Sequence, residues 1–306
     1  MRLLCTLSLL ACALLAACRT AQPPALPTSA PTVFGVVSGT SQERVSYVAR
    51  VLDELAPQIP LVVPGCDTRP IDVRLVAEMA HSNWRGATFS MRSERWMELP
   101  EAEGNERLAA TMAHELVHYL LGSEWSTLPG VLEEGLCDKV AHTLVPGAGP
   151  LERAEYAVIL GTALDGSYRF DAQRVIGKGK AAHFGPEMMT YTVRAPIDRD
   201  TMPTFEEALR LDSRDLEPNR IKELRVVLDA LGYLIVSRIG VHDLHQLCRR
   251  AHLQNLTRVP PLWLLEAAGL ERADRDGWRI AVDGLFGDAE RRALLLRDGL
   301  QFQDGR

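Results

Sequence analysis

The sequence predicts an α+β protein in two lobes: a small mixed sheet with helices over residues 39–145, then a mainly helical region over 146–306. Three observations carry this. Ile71, Val73 and Leu75 alternate with Asp72 and Arg74, the period of a half-buried strand. Leu108, Met112, Leu116 and Leu120 recur every four residues, the stripe of a helix with one buried face. Beyond Pro150 most segments keep helical apolar spacing. A chain of 306 residues, 46% hydrophobic and 24% charged, is long and apolar enough to bury a core.

Taken in order, the chain opens with Arg2 and an apolar run from Leu3 to Ala17, too short for a lasting membrane span and read as a secretory signal over residues 1–17. It ends Leu15-Ala16-Ala17-Cys18, which resembles a bacterial lipobox. That resemblance implies cleavage before Cys18, lipidation of its thiol and a place in the bacterial cell envelope, at the outer membrane or periplasmic face. Residues 18–38, rich in Pro, Ala, Thr and Ser, read as a flexible lipid-anchored tether. Ser41 to Leu55 is helical, with Val45, Val48, Val51, Leu52 and Leu55 near one face. Ile59 to Val63 is a short apolar strand candidate, Ile71 to Ala77 a strand, and Gly86 to Leu99 a hairpin or edge strand. Asn105 caps the next helix and Gly122 ends it. A second helix runs from Val131 to Thr143, burying Leu132, Leu136 and Val140 until Pro146-Gly147. Helices follow at Leu151–Leu164, Thr204–Leu211, Glu217–Ile239, Val241–His252, Pro261–Ala268 and Ala289–Arg297. Asp165 to Met202, punctuated by Gly and Pro, reads as a long loop.

A net charge of −6, a pI near 5.8 and the lack of a basic run argue against a nucleic-acid partner. Once Cys5, Cys12 and Cys18 are assigned to the N-terminal segment, Cys66, Cys137 and Cys248 remain. Three thiols leave room for one disulfide and match no cysteine-based zinc pattern.

The chemistry is concentrated between Asn105 and Asp138. His114-Glu115-Leu116-Val117-His118 reads H-E-x-x-H. On a helix the two histidines stand one turn apart on the same face and can grip one Zn²⁺. Glu115 is offset by about 100° and sits beside such an ion, where it can take a proton from an activated water. Glu134 stands sixteen positions after His118, and Asp138 follows one turn later.

The run Leu132-Glu133-Glu134-Gly135-Leu136-Cys137-Asp138 resembles the third-ligand helix of gluzincin zinc metallopeptidases, in particular the peptidase-MA-like branch. The metzincin pattern fails, because Gly122 is one place late and Glu124 stands where its last histidine belongs; Glu124 stays as a lesser ligand candidate. The gluzincin resemblance implies a zincin-like fold, one Zn²⁺ held by His114, His118 and Glu134, Glu115 as general base, and Asp138 accepting from the far ring nitrogen of His114. Val131 and Cys137 depart from the branch's tryptophan and alanine. The resemblance covers about Ile71 to Thr143, and more vaguely Leu224 to Arg250. It also implies an edge strand along which a peptide or protein substrate adds, for which Gly86 to Leu99 is the candidate.

A donor to the transition-state oxygen is expected beside the metal. Tyr233 is the first candidate, with His183, Tyr191 and Arg194 as rivals. His242, His245 and His252 are expected in solvated or capping roles, and Cys137 as a small buried residue. The resulting expectation is a membrane-anchored zinc peptidase. The alternative is a lipoprotein of the same fold that binds or assembles without catalysis, its zinc a strut.

Overall fold

A computed structural model describes residues 28–76, 83–85, 88–92, 101–148, 153, 156–157, 159–161, 164, 209, 218–271 and 274–285. It is an α+β protein, with a five-stranded mixed sheet and mostly helix elsewhere among these residues. The expected signal segment and Cys18, the loop at Asp165–Met202 and the helix at Ala289–Arg297 lie outside the described residues. So does Thr204–Leu211, apart from the buried Leu209.

The strands are β1 (Thr28–Pro31), β2 (Val36–Gly39), β3 (Asp72–Val76), β4 (Asn83–Arg85) and β5 (Thr88–Arg92), in the order β1-β2-β3-β5-β4. β2, β3 and β5 run parallel, and an antiparallel strand closes each edge. The register aligns Val37 with Val73 and Val73 with Phe89, so one buried row crosses the middle of the sheet. Asp72 and Arg74, between the buried positions of β3, point away from the core, as their alternation requires. The sheet therefore begins inside the stretch read as a tether. Thr28 to Gly39 is short and polar enough to pass for a linker, and only pairing with β3 makes it a hairpin.

The crossover from β2 to β3 contains α1 (Gln42–Leu55), capped by Ser41, whose side chain accepts from the Arg44 amide. Its five predicted apolar residues are all buried. The next segment corrects the sequence reading: Ile59–Val62 is a helical turn, α2, and not a strand. Pro60, in the first turn, suits a helix start. Ile59 and Val63, four apart, are buried, whereas Leu61 between them is 81% exposed. That is helical spacing, which a five-residue apolar run does not reveal. The expected hairpin near Gly86 exists, but its edge is β4, before Gly86; residues 93–100 lie outside the described set.

α3 (Glu101–Leu120) carries the H-E-x-x-H residues. It starts four residues before Asn105, which is therefore inside the helix and not its cap. Glu101-Ala102-Glu103 are strong helix formers, and acids suit the positive end of a helix. The C-terminus is pinned from several sides. The Asp67 amide donates to the Leu120 carbonyl at 2.8 Å, the Gly122 amide to Gly65 at 3.1 Å, and Arg69 Nη1 to the Tyr119 carbonyl at 3.1 Å. Gly122 is required here because a Cβ would overlap the Gly65 carbonyl oxygen. The chain then reverses through a 3₁₀ turn at Ser123–Trp125, anchored by Trp125 Nε1 donating to the Pro64 carbonyl at 2.7 Å. The reversal delivers α4 (Gly130–Leu144) alongside α3.

α5 (Pro218–Ile239) packs on α4 more extensively than any other pair of elements. Two glycines make this crossing close. A Cβ on Gly135 would overlap the backbone of Gly232 and Tyr233, and one on Gly232 would overlap the Val131 carbonyl. α6 (Val241–Leu253), α7 (Pro261–Ala268) and α8 (Arg275–Asp283) complete the described helices. α8 has no counterpart in the sequence reading; its short stripe of Trp278, Ala281 and Val282 is interrupted by charges. One contiguous core runs from Val37 to Val282, so the two expected lobes share their interior.

Candidate metal centre

Three ligand-type atoms converge between α3 and α4. His114 Nε2 and His118 Nε2 are 3.2 Å apart, and Glu134 Oε2 lies 3.4 Å from the first and 3.6 Å from the second. The circle through these atoms has a radius of about 2.0 Å, which is the usual bond length from zinc to imidazole nitrogen or carboxylate oxygen. The two histidines come from one turn of α3, and Glu134 from the facing side of α4. Gly135, the next residue, turns to α5, so the same turn of α4 serves the cluster on one side and the helix crossing on the other.

The far ring nitrogens are also held. His114 Nδ1 donates to Asp138 Oδ1 and His118 Nδ1 to Glu133 Oε1, each at 2.7 Å. A carboxylate only accepts, so both Nδ1 atoms carry hydrogen. Each Nε2 then presents a lone pair to the other unless a cation stands between them. Two lone pairs and a carboxylate oxygen facing one point call for a positive charge there, and a proton or a metal ion supplies it. This donor set of two imidazoles and one carboxylate fits zinc.

The electrostatics agree. For His114, burial favours the neutral ring, but hydrogen bonds to Asp138 and Glu134 outweigh it and hold the pKa well above the usual histidine range. His118 is raised as well, against the cost of burial, by Cys137, Glu133 and Glu134. Burial pushes the Cys137 thiol up and keeps it neutral, so the carboxylates are what hold the charge on His118. Glu134 is the counterpart: burial would raise it, but the two imidazoles hold it well below the carboxylate range.

Glu115 is half-buried and makes no hydrogen bond or ion pair with another described residue. Asp138 receives a second hydrogen bond, from the Tyr156 hydroxyl at 2.9 Å. Sequence reasoning missed Tyr156, which carries no local signal and reaches Asp138 only through the packing of a later segment. It also gave Glu133 no role of its own. The signal for Glu133 was present: a second acid next to Glu134, on the helix that faces the histidines. Cys137 is wholly buried, as expected, but its Sγ and ring nitrogens of His114 and His118 all lie within 4.8 Å of one another.

Tyr233 is placed differently from its sequence role. It is 1% exposed, packed against Tyr156 and His142, with its hydroxyl 3.4 Å from His142 Nδ1. A side chain so enclosed supports the wall behind Asp138 and does not reach an incoming substrate without displacement. Its rivals His183, Tyr191 and Arg194 lie outside the described residues. Glu124 is not with the cluster: it pairs with His245 at 2.8 Å and with Arg249 at 3.5 Å. His245, expected at the surface, is buried beside Trp125, because its face of α6 meets the 3₁₀ turn. His242 and His252 are exposed, as expected. Cys66, Cys137 and Cys248 are all free, so the one disulfide for which they leave room is not formed.

No family model and no curated protein matches this chain. Among the described residues no helix is long and apolar enough to cross a membrane.

Proposed function

We propose that this chain is a zinc-dependent peptidase with a zincin-like N-terminal fold, which uses His114, His118 and Glu134 to hold one Zn²⁺. The observation that carries the reading is the triangle of His114 Nε2, His118 Nε2 and Glu134 Oε2, with sides of 3.2, 3.4 and 3.6 Å. What zinc supplies when bound is Lewis acidity, which brings a water to a pKa near 7 and polarises a substrate carbonyl.

The chain's own residues do the rest. Asp138 and Glu133 fix both imidazoles by their Nδ1 atoms, so the Nε2 atoms stay turned to one point. Glu134 brings one negative charge, leaving a net positive centre once a divalent ion is held. Glu115, free of any described partner, takes the proton of the attacking water and returns it to the leaving amine. The substrate is a peptide or protein segment. The lipobox resemblance at Cys18 puts the enzyme at the bacterial envelope, tethered by its N-terminal lipid.

Metal analysis of purified protein is expected to find one zinc per chain. The Glu115→Gln variant is expected to keep that zinc and to lose about a hundredfold or more of peptide hydrolysis on a panel of unstructured peptides. Protein without zinc, or a variant as active as the parent, overturns the reading. The second reading is a non-catalytic lipoprotein with a structural zinc. It has one observation in its favour, a buried thiol close enough to serve as a further protein ligand.

A further inference from the structure

We infer that Cys137 is a direct metal donor in this centre, a thiolate that approaches from the protein interior. The inference rests on the metal reading above and adds a sulfur to its donor set. Sγ of Cys137 and ring nitrogens of His114 and His118 lie within 4.8 Å of one another. Zinc bonds of about 2.0 Å to imidazole nitrogen and about 2.3 Å to thiolate sulfur, meeting at a tetrahedral angle, set the two atoms about 3.5 Å apart. A shift of the sulfur of up to about 1.3 Å therefore brings all three donors onto one ion, and rotation about the single side-chain torsion of a cysteine can supply it.

Position on the helix supports the assignment. Cys137 follows Glu134 by three residues on α4, so the two are neighbours along one side of that helix. The direction of approach differs between them. Cys137 is 0% exposed, whereas the side chains of His114, His118 and Glu134 are 21%, 20% and 33% exposed. The sulfur comes from inside, and solvent reaches the cluster from the other donors' side. With four protein donors, a water or a substrate carbonyl enters from that side only by taking a fifth position or by displacing one of the donors. Coordination is a ligand exchange: the S–H proton leaves to solvent as the sulfur–metal bond forms, and nothing is oxidised or reduced. A mixed nitrogen, oxygen and sulfur set favours thiophilic ions such as Zn²⁺ and Cd²⁺ over Mg²⁺, Ca²⁺ and Mn²⁺.

The test is cobalt substitution of the metal-free protein. The d–d bands report occupancy, and a near-ultraviolet sulfur-to-cobalt charge-transfer band reports a thiolate ligand. Both are expected to rise together up to one equivalent. Cys137→Ser is expected to keep the d–d bands, lose the charge-transfer band and bind Cd²⁺ about tenfold or more weakly. X-ray absorption of the zinc-loaded parent protein needs no variant and is expected to show one sulfur at about 2.3 Å. The d–d bands without a charge-transfer band, or no sulfur in the absorption spectrum, overturn the thiolate and leave the zinc reading standing. A charge-transfer band that survives in Cys137→Ser assigns the sulfur to another cysteine and overturns it too. Failure of both bands to appear overturns the metal reading itself.

Discussion

Two histidine–carboxylate groupings in this chain resemble each other in parts and differ in arrangement. On α3 and α4, His114 and His118 each give one ring nitrogen to an acid and turn the other toward a shared point. On α6, His245 gives Nε2 to Glu124, and its Nδ1 is buried without a partner among the described residues. Both groupings are partly shielded, and both tie a helix to a neighbouring segment. Only the first leaves free donor atoms converging. A histidine paired with a carboxylate is thus a common structural tie. What makes a candidate metal centre is a second ring and a further acid whose remaining lone pairs meet at one place. The frame that makes them meet is α4, held close to α5 by Gly135 and Gly232.

The comparison breaks most readily at that frame. Gly135→Ala forces a methyl into the Gly232 backbone, where no flexible side chain can yield. The helices must separate, with an expected loss of about 3 kcal/mol or more and failure to fold as the extreme. Thermal melting of the metal-free protein measures this free of any effect on zinc. An unchanged melting temperature contradicts the backbone contact.

The next effect separates the two groupings by function. Asp138→Asn and Glu133→Gln keep the shape of each side chain but weaken the orientation of one imidazole. Each is expected to lower zinc affinity or peptide hydrolysis about 10–100-fold. Competition with a chelator reads the affinity directly. Equal effects of both substitutions would show that the two clamps are equivalent, which the sequence alone does not suggest.

Protons sharpen the comparison further. His114 and His118 are raised above the ordinary histidine value of 6.5. Without metal, the stability that follows is complete below that value and is lost as the pH rises through the higher folded values. Glu134 is lowered from 4.5, so its contribution is present above that value and is lost as the pH falls through its folded value. On the proposed reading, zinc would replace the protons on the Nε2 atoms. Zinc added near neutral pH should therefore release up to about two protons, read in a weakly buffered titration. Its stabilising effect should grow from pH 6 to pH 8. Proton uptake, or an effect that shrinks over that range, contradicts the clustered charge.

The smallest effect belongs to the second grouping. Glu124→Gln is expected to cost about 1 kcal/mol or less, because Glu124 is 40% exposed and its ion pairs are screened by water. Zinc content should not change. A loss of zinc would mean that the 3₁₀ turn communicates with the ligands more strongly than its contacts imply.

Much of the fold was legible where one element has one buried face. α1, β3, α3, α4 and α7 follow from apolar spacing, and α7 agrees to the residue. The misreadings share a cause. Ile59 to Val63 is too short for its period to be told, and Thr28 to Gly39 gains its identity as strands only through pairing. His245 is buried only because α6 meets the turn after α3. In the candidate site, His114, Glu115, His118, Glu134 and Asp138 could be selected by spacing along two helices. Tyr156 and Cys137 could not, because their part depends on how those helices and the later segment lie against each other, and Glu133 was marked only as an acid beside Glu134.

By itself, then, the sequence determined which residues share a helical face, because the helical repeat is a local property of the backbone. It put His114 and His118 one turn apart on one helix, and Glu134 and Asp138 one turn apart on another. Tertiary structure alone decided that the two faces meet with Nε2, Nε2 and Oε2 at 3.2 to 3.6 Å. It also decided that each imidazole has its own carboxylate, that Tyr233 is enclosed, and that a thiol stands within reach of the same point. Those outcomes depend on the distance and rotation between α3, α4 and α5. The chain reversal at Gly122–Pro129 and the Gly135–Gly232 contact set that distance through space, and no local repeat records it.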